Sequence, residues 1–130
     1  MARPVLADTD VLIDYEAGAG AADQVERLIA AGRLRMSTIV YYEIVRGAAT
    51  AEDRADLRRM LRAVPILGLT RQDVEAAGQL WRALTPHHRD MLGDRDILIA
   101  GAALARGWPL LTRNREHFAV TGVQLHSEGG

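Results

Sequence analysis

A three-layer α/β domain, with helices on both faces of a mostly parallel sheet, is the architecture the sequence predicts. Three observations predict it. Short apolar runs alternate with segments of helical periodicity, capping and breaking residues stand between them, and neither an internal repeat nor a linker interrupts the 130 residues. Parallel strands joined by crossover helices are buried on both faces, so their runs read as apolar throughout rather than alternating. A chain of this length buries a core without disulfides or metals to staple it. The expected domain spans residues 1–126, with 127–130 as a flexible tail.

In chain order, Val5-Leu6-Ala7 after Pro4 predicts a short buried strand ending at Asp8. Asp10 is a candidate cap for a short helix over Val11–Tyr15, and Gly18-Ala19-Gly20 breaks it. Val25, Leu28 and Ile29 mark a second helix that Gly32 ends. Leu34–Met36 predicts a second strand, and Ser37 or Thr38 caps a helix through Arg46, closed by Gly47. Leu57, Met60, Leu61 and Val64 form one helical stripe with Arg54, Arg58 and Arg62 opposite, and Pro65 stops it. Ile66–Leu69 predicts a third strand, Thr70 a cap, and Val74, Ala77, Trp81 and Leu84 the inner face of another helix. Thr85–Gly93 reads as a polar loop. Asp94 then opens an almost wholly apolar helix closed by Gly107, followed by a fourth strand at Leu110–Thr112 and a fifth at Val123–Leu125.

Composition narrows the chemistry. There is no Cys, which excludes thiol nucleophiles, thiolate zinc sites and disulfides. Sixteen basic residues, every one Arg, face seventeen acids for a net charge of −1. Any grip on phosphate must therefore come from a local patch or a bound cation, and Schiff bases and P-loop lysines are excluded. No segment has the length and apolarity of a membrane span or a signal peptide, so a cytoplasmic protein is expected.

Four positions stand out at the expected strand ends and helix starts, where α/β folds collect their ligands. Asp8 follows a buried strand; the plain alternative is a strand-end acid beside a helix cap. Glu43 has apolar neighbours on every side of its helix, and a buried carboxylate needs a partner, either Arg46 at i+3 or a metal. Asp94 and Asp96 both fall in a first helical turn, where capping explains one acid better than two. Asn114 offers a neutral oxygen, or simply forms a turn. If Asp8, Glu43 and Asp96 converge without basic partners, they raise one another's pKa values, and a hard divalent cation relieves the repulsion. Mg²⁺ suits such oxygen ligands, with Mn²⁺ as a substitute. The four His residues lack zinc spacing and are assigned surface or packing roles.

At these places the chain resembles PIN-domain ribonucleases, and most closely the VapC toxins of bacterial toxin–antitoxin pairs. The resemblance rests on Asp8-Thr9-Asp10-Val11-Leu12-Ile13, on Ser37-Thr38 through Glu43 to Gly47, on Asp96-Ile97-Leu98-Ile99-Ala100, and on Thr112-Arg113-Asn114 with Phe118 shortly after. It spans nearly the whole chain. Three positions depart from the family pattern: Asp10 replaces the usual Asn, Asn114 occupies the fourth acidic position, and His117 stands where many relatives carry an acid, with Glu116 adjacent.

The resemblance implies a PIN-like fold and Mg²⁺-dependent hydrolysis of RNA. Asp8, Glu43, Asp96 and Asn114 are its catalytic set, with Asp8 and Asp96 as metal ligands. Auxiliary or RNA-binding roles fall to Thr9, Asp10, Ser37, Asp94, Thr112 and Glu116, and to Arg95, Arg113 and Arg115, which flank the acids and are placed to orient phosphates. The family further implies a homodimer and a cognate VapB-like antitoxin, with a helical segment lying in a groove. Two other readings remain. Asp8 and Asp10 also fit the Asp-x-Asp opening of haloacid-dehalogenase-like phosphatases, although the usual downstream Lys is missing. Asn114 and His117 leave room for a catalytically inactive PIN-like interaction module.

Overall fold

In a computed structural model describing residues 2–128, four short strands form one all-parallel sheet in the order β3-β2-β1-β4, flanked by helices. The elements are β1 (Val5–Ala7), α1 (Thr9–Ala17), α2 (Ala22–Ala30), β2 (Leu34–Ser37), α3 (Thr38–Gly47), α4 (Ala51–Ala63), β3 (Ile66–Leu67), α5 (Arg71–Ala83), α6 (Pro86–Arg106), β4 (Leu110–Leu111) and α7 (Arg115–Ala119). This is the expected three-layer α/β architecture. Of the expected tail, Gly129 and Gly130 lie outside the described residues, while Ser127 and Glu128 meet Arg115 and Arg27. Among the described residues no helix is long and apolar enough to cross a membrane.

β1 occupies the middle of the sheet because the chain turns to opposite sides of it. β2 pairs with it through Val5–Leu34 and Leu6–Arg35, and β4 pairs on the other side through Leu6–Leu110 and Ala7–Leu111. The crevice beyond the carboxyl ends of β1 and β4 is thus a topological switch point, where open parallel sheets bind ligands. Leu6, Leu12, Leu34, Met36, Ile99, Leu110 and Phe118 are completely buried around the strands.

Several expected boundaries move. The cap of α1 is Asp8 rather than Asp10, because Asp8 already has extended backbone and its carboxylate accepts the Thr9 N–H. The expected loop at Thr85–Gly93 is largely helical: Thr85 caps it, Pro86 occupies the first turn, and Arg89 braces it by bonding to Trp81 O at 2.7 Å. Gly93, at φ 74° and ψ 164°, breaks α6 and restarts it at Asp94. β3 and β4 are shorter than expected, and the fifth strand reduces to one parallel bridge between Leu110 and Leu125. α7, unforeseen in the sequence, is a single turn anchored by buried Phe118.

α5 and α6 lie close against each other. A Cβ on Gly101 would stand 2.7–2.8 Å from the Cβ, Cα and N of Ala77, so only glycine permits this approach. Near the end of α6, Arg106 Nη1 pairs with the buried Asp73 carboxylate at 2.5 Å, and Asp73 also closes the capping box of α5. Because two of the three clashing atoms at Gly101 are backbone, Gly101→Ala is expected to destabilise the protein by roughly 1–3 kcal/mol through overpacking. Gly78→Ala, on α5 with open space around its Cα, should instead stabilise it by roughly 0.5–1 kcal/mol. Chemical denaturation of the two variants checks both signs, and a neutral Gly101→Ala refutes the tight seam.

Candidate active site

The carboxyl end of β1 delivers Asp8 into the crevice with its backbone N–H bonded to Leu111 O on β4 at 2.9 Å. Its buried carboxylate gathers three elements: it accepts from Thr9 N at the start of α1 (2.8 Å), from Thr112 Oγ1 after β4 (2.8 Å), and from Arg95 Nη2 on α6 (3.1 Å). Glu43 arrives from α3, whose start is set by Ser37 accepting from Val40 N. Thr9 Oγ1 donates to Glu43 Oε1 at 2.6 Å, and the same oxygen pairs with Arg95. Asp96 lies in the first turn after the Gly93 break, its Oδ1 paired with Arg95 and its Oδ2 2.6 Å from His117 Nε2.

Three acids distant in sequence therefore converge, and they do so on the guanidinium of Arg95. The expectation of a carboxylate cluster without a basic partner is overturned. Arg46, the alternative partner for Glu43, lies instead over the Tyr42 ring at 5.4 Å. The charge balance explains the titration of each group. Burial alone would raise Glu43, but hydrogen bonds from Arg95 and Thr9, with the charges of Arg95 and Arg46, bring it below its ordinary value. Burial raises Asp96, with His117 and Arg95 opposing and Asp8 adding to the rise. Arg95 is lowered by burial yet pushed up overall by Glu43, Asp96 and Asp8, so it stays charged.

Asp10 stands beside this cluster. Its Oδ2 accepts from Arg113 N at 3.1 Å, while its Oδ1 is buried without a hydrogen-bond partner. Burial and the neighbouring Asp8 raise its pKa, against the opposing Arg113. The remaining candidates separate. Thr9 and Thr112 bond the acids directly, and Ser37 is buried as a cap. Asp94 is exposed, Glu116 is exposed, and Asn114 is exposed with its side chain making no hydrogen bond to the acids. Arg113 pairs with Asp14 at 2.8 Å, and Arg115 bonds His126 O and Ser127 Oγ, away from the cluster.

Two groups escaped the sequence reading. His117, marked in the sequence as a departure from the family pattern yet assigned a surface or packing role, meets Asp96 at 2.6 Å; its place just before Phe118 in the last motif was the available signal. Asp14 is buried, accepts from Ala21 N at 3.0 Å and holds Arg113 near the crevice. Its position one α-helical turn after Asp10 was the available signal.

Among the described residues no three acids or imidazoles are grouped as a metal site, and the guanidinium of Arg95 lies among Asp8, Glu43 and Asp96. The donor set nevertheless suits a hard divalent cation. It consists of carboxylate oxygens that already surround one positive charge, with the orphaned Asp10 Oδ1 close by. One cleft borders Glu43, and a second opens beside Thr112. The first, of about 310 Å³, is lined by Thr9 and Glu43 together with Leu12, Ile13, Ile44, Leu57 and Met60. The other, of about 620 Å³, is lined by Arg27, Thr112, Arg113, Arg115 and His126 among others.

Comparison with known proteins agrees with this fold. The chain is 27% identical to Ribonuclease VapC1 of Methanocaldococcus jannaschii over 114 residues, covering 88% of this chain and 78% of that protein. Its fold matches a chain of DNA-bound VapBC from Salmonella typhimurium with a TM-score of 0.81 at 21% identity, covering 96% and 98% of the two chains. It likewise matches a chain of VapBC2 from Rickettsia felis bound to a promoter DNA fragment, with a TM-score of 0.80 at 20% identity over 94% and 96%. The PIN domain signature itself extends over residues 5–123, from the first residue of β1 to just short of the Leu125 bridge. With acids from β1, α3 and α6 meeting at the switch point of a parallel sheet, and that signature over almost its full length, this chain belongs to the PIN domain family.

Proposed function

We propose that the protein is a divalent-metal-dependent endoribonuclease and the toxin of a toxin–antitoxin pair. The observation that carries the reading is the convergence of Asp8, Glu43 and Asp96 on a single cation at the carboxyl ends of β1 and β4. The ribonuclease name of the Methanocaldococcus relative and the VapBC assemblies with the same fold support it. Membership of the PIN domain family sets the phosphatase reading of Asp8 and Asp10 aside.

Asp8 and Asp96 are the residues to hold Mg²⁺ or Mn²⁺, which when bound supplies an activated water and neutralises charge on the scissile phosphate. Thr9 engages Glu43 Oε1 and leaves Oε2 to accept a proton from the attacking water. Thr112 keeps the Asp8 carboxylate oriented, and His117 does the same for Asp96. Asn114 takes an outer role on the rim. Arg113 and Arg115 line the larger cleft, where a phosphodiester backbone leaving the site would meet them.

The partner side of the reading rests on surface chemistry. Ile13 lines the smaller cleft, whose rim also carries Glu16, Asp53 and Asp56, and Tyr42 and Val45 are exposed on α3 next to it, a surface suited to an amphipathic antitoxin helix. A cytoplasmic homodimer completes the proposal, with residues 1–126 as the nuclease domain and 127–130 as its tail.

Loss of either proposed metal ligand, in Asp8→Asn or Asp96→Asn, is expected to reduce Mg²⁺-dependent RNA cleavage at least ~100-fold. EDTA should act alike, and undiminished cleavage in EDTA or in either variant sinks the mechanism. Light scattering should report a dimer at micromolar concentration; a strict monomer counts against that part of the proposal. Asp10 supplies a pH test on protein held in EDTA. Its folded pKa is raised, so the penalty of ionising it is absent below the unfolded pKa, grows as pH rises towards the folded value, and is complete above it. Asp10→Asn, whose amide oxygen still accepts the Arg113 N–H, should therefore melt above wild type at pH 7, and the gap should close towards about pH 4. A variant that melts below wild type at pH 7 refutes the assignment.

A further inference from the structure

Arg95 touches every acid of the proposed metal site. Its Nη2 meets Asp8, Glu43 and the Thr9 hydroxyl, and its Nη1 meets Asp96. Resting on the nuclease reading above, we propose that Arg95 is a built-in counter-ion for these acids, which holds them together without metal and must be displaced before a divalent cation binds.

The two cations are mutually exclusive on simple grounds. Mg²⁺ bonds its oxygen ligands at about 2.0–2.1 Å, and Asp8 and Asp96 are the residues that would hold it. The guanidinium already takes Asp8 Oδ1 through Nη2 and Asp96 Oδ1 through Nη1, so metal and guanidinium, of like charge, would compete for the same oxygens. Displacement is feasible because the hold of Arg95 is incomplete. Its Nε is buried without a partner, an unsatisfied donor that exit to solvent would satisfy. The side chain is 36% exposed, and it leaves the backbone in the turn directly after the Gly93 break. Competition of this kind lowers apparent metal affinity by the fraction of molecules in which the guanidinium has moved aside. Once displaced, the same guanidinium remains tethered next to the acids, in reach of a phosphate oxygen of the substrate.

The test measures Mn²⁺ binding by calorimetry on EDTA-stripped, re-dialysed protein, in wild type, Arg95→Gln and Arg95→Lys. Arg95→Gln is expected to bind Mn²⁺ at least ~10-fold more tightly than wild type, since the acids lose their internal cation. Arg95→Lys, with one compact ammonium in place of a fork, should fall between them. Metal-free Arg95→Gln should also melt below wild type. Affinity in Arg95→Gln that is equal to or weaker than wild type overturns the proposal. A measurement on wild type keeps the question decidable if that variant does not fold: the Arg95 Nε–H resonance, assigned by its loss in Arg95→Lys, should shift on saturation with Mg²⁺. A resonance indifferent to Mg²⁺ overturns the proposal as well. Unchanged affinity beside EDTA-sensitive RNA cleavage by wild type removes only the counter-ion role, whereas absence of Mn²⁺ binding in all three proteins removes the metal-dependent reading with it.

Discussion

The carboxylate of Asp8 accepts hydrogen bonds from α1, from the segment after β4 and from α6 at once, while its own N–H is tied to Leu111. A buried anion needs that many donors, since its desolvation is otherwise unfavourable by several kcal/mol. Meeting the demand draws the surrounding elements together. Thr9 can cap with Asp8 only if α1 begins at once after β1, and Thr112 reaches Asp8 only if β4 is parallel to β1 in the observed register. Arg95 arrives because Gly93 restarts α6 at the right height.

From this centre the electrostatics run outward by degrees of burial. Glu43, half-buried and bonded by Arg95 and Thr9, favours its charged form, whereas Asp96 and Asp10 pay more in lost hydration than their partners return. The same arginine thus stabilises one acid strongly and another only partly. Several perturbed acids gathered around one point mark a functional cluster.

Much of the fold was legible because strand and helix signals are local. The apolar run Val5–Ala7, the caps at Ser37 and Thr70 and the stop at Pro65 each act within a few residues of themselves, and each marks the element it should. Thr85–Gly93 reads as a loop because its polar residues show no apolar stripe; what makes most of it helical is a Thr-Pro start and an arginine reaching back to α5. The acids of the candidate site were legible as types at strand ends and helix starts. Their cationic centre was not, because the partnership of Arg95 with Glu43 joins residues far apart in the chain and leaves no periodic trace. The contact of His117 on α7 with Asp96 on α6 is likewise tertiary and leaves no local trace.

The seam between α5 and α6 bears on how the candidate site moves. α6 is pinned at its far end by the Asp73–Arg106 pair and along its middle by the contact of Gly101 with Ala77, while Gly93 leaves its near end jointed. A rod clamped at two points and hinged at the third cannot slide or roll as a body. Rearrangement around the acids is therefore confined to side chains and to the single turn next to the hinge. Asp96 stands in that turn but is held by His117 from α7, whereas Arg95 beside it, 36% exposed, is the side chain with room to swing.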